Sequence, residues 1–165
     1  MAPVPPSPRR RKVRLVRAEV PDDALLVVRA TGADPEASVR SIAEDAQVSG
    51  EVYVIDLLGT REVLYGVSVF AHREGIDVLE VLARFPGAPR YLETTAGTLR
   101  RSGFGVHATG SNPDHYDVQL LPGCGEEVPA PMHEDLLLAA QRLLDVAGES
   151  RPNPSYAGPE PGEQE

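Results

Sequence analysis

Residues 104–120, Phe104-Gly-Val-His-Ala-Thr-Gly-Ser-Asn-Pro-Asp-His-Tyr-Asp-Val-Gln-Leu120, read as two strands around a turn. Phe104, Val106 and Ala108 alternate, and so do Tyr116, Val118 and Leu120. A period of two puts each apolar set on one face of a strand. The residues between them, Thr109 to Asp114, are turn formers. Antiparallel pairing that matches the apolar faces sets Val106 opposite Val118. The same register sets His107 opposite Asp117, with His115 diagonal, all three on the face away from the core.

Strand and helix patterns interleave in both directions from this hairpin. Val13–Arg17 is a short strand, and Ala24–Ala30 a more buried one. Asp34 followed by Pro35 marks a helix start, with Val39, Ile42, Ala43 and Ala46 at helical spacing and Gly50 as the stop. Val52–Leu58 and Val63–Ala71 are expected to form a hairpin around Gly59–Thr60, with Val63, Tyr65, Val67 and Val69 on one face. Asp77 and Glu80 fit a capping box for a short helix that includes Leu79, Leu82 and Ala83. Arg90–Glu93 is a strand, after which Thr94 or Thr95 caps a helix that ends at Gly103. The strongest helix runs from Glu134 to Ala147, with Leu136, Leu137, Ala140, Leu143, Leu144 and Ala147 as its apolar set. Its leucines cover more than half its circumference, which suits either a buried core helix or a partner interface. Such alternation predicts an α/β or mixed α+β fold: a mixed, partly antiparallel sheet of about five to seven strands packed by about four helices.

The chain has 165 residues, suited to one domain. With no Trp and 5% aromatic residues, the core must be mostly Val, Leu and Ala. The expected organisation is a disordered, Pro-rich basic arm at 1–12, a globular domain at 13–148 and a disordered acidic tail at 149–165. Net charge is −9, unevenly spread: +6 over residues 1–17, −11 over 18–144 and −4 over 145–165. An acidic body argues against a broad nucleic-acid-binding surface. Only the arm, with Arg9, Arg10, Arg11 and Lys12, is expected to touch phosphates or an acidic partner. Salt-sensitive binding lost on deleting 1–12 would be its sign. Pro3–Pro6 also fits a polyproline ligand.

Lys12 is the only lysine, against 15 arginines, and Ile is scarce. That bias resembles a high-GC bacterial genome, such as an actinobacterium. The single cysteine, Cys124, excludes an internal disulfide and fits a reducing cytoplasm. The amino terminus lacks the apolar stretch of a secretory signal, and no apolar run is long enough to span a bilayer, so a cytoplasmic protein without membrane contact is expected.

The most concrete chemical constellation is His107, His115 and Asp117. A histidine beside a carboxylate can act as a general base, or hold a metal with a second histidine. The alternative is a chance pairing on an exposed face, and the run Asp114–Asp117 is polar enough for a binding rim. Cys124, between two glycines, would need a base such as His133 to become a reactive thiolate; otherwise it is a loop cysteine. Asp56 interrupts an apolar strand, either as a site residue or at the strand's exit into its turn. No glycine-rich dinucleotide or phosphate-loop pattern follows a strand.

Arg29 closes the apolar run 25–28, Ser68 lies on a later strand after Tyr65, and acids follow at Glu93, Glu126 and Glu127. This order resembles the small ADP-ribosyltransferase-type domains. The resemblance implies that Arg29 and Ser68 bind a nicotinamide dinucleotide and that a late glutamate orients the ribose or acceptor. The sequence departs from that pattern in having no Ser-Thr-Ser triplet after Tyr65 and no Glu-x-Glu. Two functions stand at this level. One is a non-catalytic interaction or regulatory module, binding another protein or itself. The other is a small enzyme or toxin-type domain, such as a toxin–antitoxin component, whose cofactor the residues do not specify.

Overall fold

The computed structural model describes residues 12–30, 34–50, 52–72, 78–109, 113–125 and 129–158. The elements are β1 (Lys12–Ala18), β2 (Leu25–Ala30), α1 (Pro35–Ser49), β3 (Val52–Ile55), β4 (Arg61–Val63), β5 (Gly66–His72) and α2 (Val78–Leu82). They continue with β6 (Arg90–Thr95), α3 (Ala96–Arg101), β7 (Gly105–Thr109), β8 (His115–Gln119), α4 (His133–Ala147) and β9 (Arg151–Pro152). The fold is a mixed α/β arrangement of one nine-stranded sheet, ordered β4-β3-β1-β7-β8-β5-β2-β6-β9, and four helices.

Local chemistry sets the helix starts. Asp34 accepts a hydrogen bond from Ala37 N (2.7 Å) ahead of Pro35, and Thr95 Oγ1 accepts from Thr98 N (3.2 Å). Val39, Ile42, Ala43 and Ala46 of α1 and Leu136, Ala140 and Leu143 of α4 pack together over Val67, Val69, Val106 and Val118. Leu137 and Leu144 also pack against this core, leaving only Leu138 strongly exposed among the leucines of α4. A smaller core lies on the opposite face, where α2 brings Val81 and Leu82 onto Val27 and Tyr91. Leu79 of the same helix is exposed.

The strand count exceeds the expected five to seven for two physical reasons. First, Val63–Ala71 is not one strand of a hairpin. Its first part, β4, pairs with β3 (Tyr53 opposite Val63), whereas β5 pairs with β8 and β2. Leu64 N donates to Val52 O on one side, and Leu120 N donates to Tyr65 O on the other. The stretch 61–72 therefore ties two distant places in the sheet together. β3, β1, β7, β8 and β4–β5 close into a ring of pairings. Gly66 sits where the strands press closest, since a Cβ there would collide with the Val118 carbonyl. Second, residues from the expected tail add an edge strand. β9 pairs with β6, and the buried Asn153 donates to Phe85 O (3.0 Å) and Ala88 O (2.8 Å).

β2 and β5 pair over only part of their lengths, so the sheet splits between β2 and the first residues of β5. β2 contacts β5 only at its far end, through Leu25–Val27 and Phe70–His72. The carboxyl end of α1 fills part of the gap. Ser49 Oγ lies 2.8 Å from Leu64 O and 3.0 Å from Gly66 O, and accepts from Gly66 N at 2.9 Å. Among the described residues, no helix is long and apolar enough to cross a membrane.

Candidate functional site

The β7–β8 register is the one the alternation predicts: Val106 opposite Val118 and His107 opposite Asp117. β5 continues it on the other side, with Ser68 opposite Asp117 and Phe70 opposite His115. Directly opposed residues share a face. Ser68, His107, His115 and Asp117 thus lie together, away from Val67, Val106 and Val118.

That face is not open. Arg14 of β1 reaches onto it, and Asp117 is 1% exposed. Arg14 Nη1 lies 2.9 and 3.0 Å from the two Asp117 oxygens, joining residues 103 positions apart. Thr109 Oγ1 donates to Asp117 Oδ2 at 2.7 Å. A buried carboxylate needs such donors to offset lost hydration. Asp114 is also buried and pairs with Arg84 (3.2 Å), so the run Asp114–Asp117 is not an exposed rim.

The Thr109 hydroxyl has one proton and spends it on Asp117, so toward the imidazole it can only accept. His115 Nδ1 lies 3.2 Å from Thr109 Oγ1 and 3.3 Å from Thr109 O, and both are acceptors there. Nδ1 therefore carries the proton in the neutral ring. Nε2, left with its lone pair, lies 3.0 Å from Ser68 Oγ and accepts from that hydroxyl. The competing Ser68–Asp117 contact is longer, 3.5 Å. Phe70 packs edge-on against the His115 ring, at 5.7 Å between centroids.

His107 is not part of this chain of bonds. Although opposite Asp117, its Nε2 lies 2.9 Å from Gln119 Oε1. The Gln119 amide nitrogen faces Glu62 Oε2 (3.4 Å) and Val63 O (3.5 Å), so its oxygen is the group that accepts from His107. Among the described residues, no three His, Cys, Asp or Glu side chains converge as metal ligands.

At the split in the sheet, a cleft of about 650 Å³ is walled by Lys12, Arg14 and Arg29, with Val48, Val52 and Val67 as its apolar part. Ser68 and Asp117 also line it. Arg29 and Ser68, picked out for a different reason from His115 and Asp117, thus join the same neighbourhood. The Arg29 guanidinium stacks 4.7 Å above Phe85, whose ring meets Phe70 at 4.5 Å. Asp45 of α1 lines the same cleft. Partial burial pushes its carboxyl above the usual range, against the smaller opposing pull of Arg29 and with a further push from Glu44.

Of the expected partner-binding residues, Lys12 opens β1 opposite Val52 and faces the cleft, while Arg9, Arg10 and Arg11 lie outside the described residues. Glu126 and Glu127 do too, and Glu93 lies on β6 opposite Val27. Asp56 resolves as a turn residue, its Oδ1 accepting from Leu58 N (2.9 Å) and Thr60 N (2.8 Å). Burial, with the nearby Glu62 charge, pushes the Cys124 thiol up, opposite to what a nucleophilic thiolate needs. Thr109 was not singled out by the sequence as a site residue, and Arg14 entered only as part of the basic stretch Arg9–Arg17. The available signal was a lone arginine between Val13 and Leu15 in a strand pattern. No known family model, curated protein or solved structure matches this chain.

Proposed function

We propose that the chain is a small regulatory or interaction module that takes up a small anionic ligand in the cleft where its sheet splits. The observation that carries this reading is the convergence of Lys12, Arg14 and Arg29, against the carboxylates of Asp45 and Asp117, on one concave surface of an acidic protein. The cleft volume lies within the roughly 300–1,000 Å³ common for small-molecule sites. Two of the three cations are held in place beforehand, Arg14 by Asp117 and Arg29 by Phe85, which lowers the entropy lost on binding. The valines of the wall suit the carbon body of a carboxylate or phosphate ester. Calorimetric titration with inorganic phosphate and with ADP tests this. Saturable, salt-sensitive binding that Arg29→Ala abolishes is expected. Absence of heat from both at millimolar concentration counts against it.

A second reading is enzymatic, of the ADP-ribosyltransferase type. In its favour, Arg29 on β2 and Ser68 on β5 line one cleft. Against it, no glutamate among the described residues does so. Incubation with nicotinamide dinucleotide separates the two: turnover that Arg29→Ala removes supports the enzyme, and an untouched dinucleotide removes it. A growth-arresting toxin would also be relieved by Arg29→Ala or His107→Ala. The arm at Arg9–Arg11 is proposed to meet an acidic protein or nucleic acid, and binding that survives its deletion would exclude that role.

A further inference from the structure

We propose that Ser68 is a nucleophile activated by His115, acting on acyl esters that carry an anionic group. Asp117, paired with Arg14, accepts a hydrogen bond from the Thr109 hydroxyl; Thr109 then accepts from His115 Nδ1; and Nε2 is left to accept from Ser68 Oγ at 3.0 Å. A nucleophile within about 2.6–3.2 Å of a base, with that base oriented by a third group, is the arrangement nucleophilic catalysis requires. Ser68 is half-buried and lines the cleft, so its hydroxyl is reachable from the side where Lys12 and Arg29 stand.

Water is the co-substrate of the reaction. Ser68 Oγ attacks the ester carbonyl carbon, and its proton passes to His115 Nε2. The carbonyl carbon–alkoxy bond breaks, and the leaving oxygen takes that proton. Water then attacks the acyl group, giving a proton to Nε2, and the acyl–Oγ bond breaks as the proton returns to Ser68. The products are an acid and an alcohol. Thr109 and Asp117 are positioning residues that fix the ring. The preference for an anionic ester rests on the ligand reading above, whereas the nucleophile does not.

The test uses the full chain and a fluorophosphonate, which forms an Oγ–P bond and releases fluoride. One adduct per chain is expected, on the peptide that contains Ser68. Ser68→Ala should abolish it, and His115→Gln should slow it at least ~100-fold, the scale of general-base assistance. Should His115→Gln fail to fold, Ser68→Cys supplies an independent reading: it should react with iodoacetamide far faster than Cys124. The proposal is overturned by no adduct at Ser68, by an unchanged rate in folded His115→Gln, or by Ser68→Cys reacting no faster than Cys124. Phosphate binding without any adduct would remove the nucleophile and leave the ligand reading in place.

Discussion

Thr109 and Asp117 share a single 2.7 Å hydrogen bond whose direction fixes the proton on a third residue. Because the hydroxyl donates to the carboxylate, it must accept from His115 Nδ1, and Nε2 is turned toward Ser68 as a base. The arrangement depends on Arg14, whose guanidinium holds both oxygens of the Asp117 carboxylate.

That dependence is measurable. Arg14→Ala should cost about 2 kcal/mol in urea unfolding, the scale of hydrogen bonds to a charged group. Arg14 is 36% exposed, which keeps the loss below that for a fully buried pair. Adding Asp117→Asn to Arg14→Ala should cost less than the sum of the two single changes, because the uncompensated anion is gone. Strict additivity would mean that the pair is not coupled.

Gly66 is required by the closed ring of strands. Gly66→Ala drives a methyl group into the Val118 carbonyl, which is backbone and cannot rotate away. A loss of at least ~3 kcal/mol is expected, at the upper end of overpacking costs. Gly87→Ala, where a Cβ meets open space at negative φ, should change stability little. Equal effects at the two positions would argue against the tight β5–β8 crossing.

Asp45 predicts a pH dependence of definite sign. Its folded carboxyl lies above the ordinary range, so the fold holds the proton more tightly than the unfolded chain does. Its contribution therefore becomes unfavourable as pH rises from the ordinary carboxylate range through the raised value. Asp45→Asn should raise Tm at neutral pH, and the gain should vanish in acid below the ordinary range. A lower Tm at neutral pH would show that the pull of Arg29 outweighs burial.

Cys124 should be a poor nucleophile. Burial and the Glu62 charge raise its thiol, so iodoacetamide at neutral pH should alkylate the native protein more slowly than the urea-unfolded chain. Glu62→Gln should narrow that gap. Equal native and unfolded rates would contradict the assigned environment.

Local features were legible in the sequence and distant pairings were not. The caps at Asp34 and Thr95, the turn at Asp56 and the register of His107 with Asp117 all follow from neighbours a few residues apart. The split between β4 and β5 was hidden because Val63–Ala71 has one continuous alternation, while its partners are set by tertiary closure. β1 inverts the usual reading of a strand. Val13 and Leu15 are 52% and 62% exposed, and Arg14 turns inward. The inside of the ring is polar there, so a charged side chain with a buried partner wins over the apolar pattern. Asp117 showed that it would lie beside a histidine, but nothing local to it showed that Arg14 would claim it.

Long-range 1H–15N NMR of the histidine rings in the neutral state tests the central claim most directly. The account predicts His115 with its proton on Nδ1 and His107 with its proton on Nε2. A His115 ring protonated at Nε2 would mean that Ser68 faces a donor rather than a base, and the proposed site would fall.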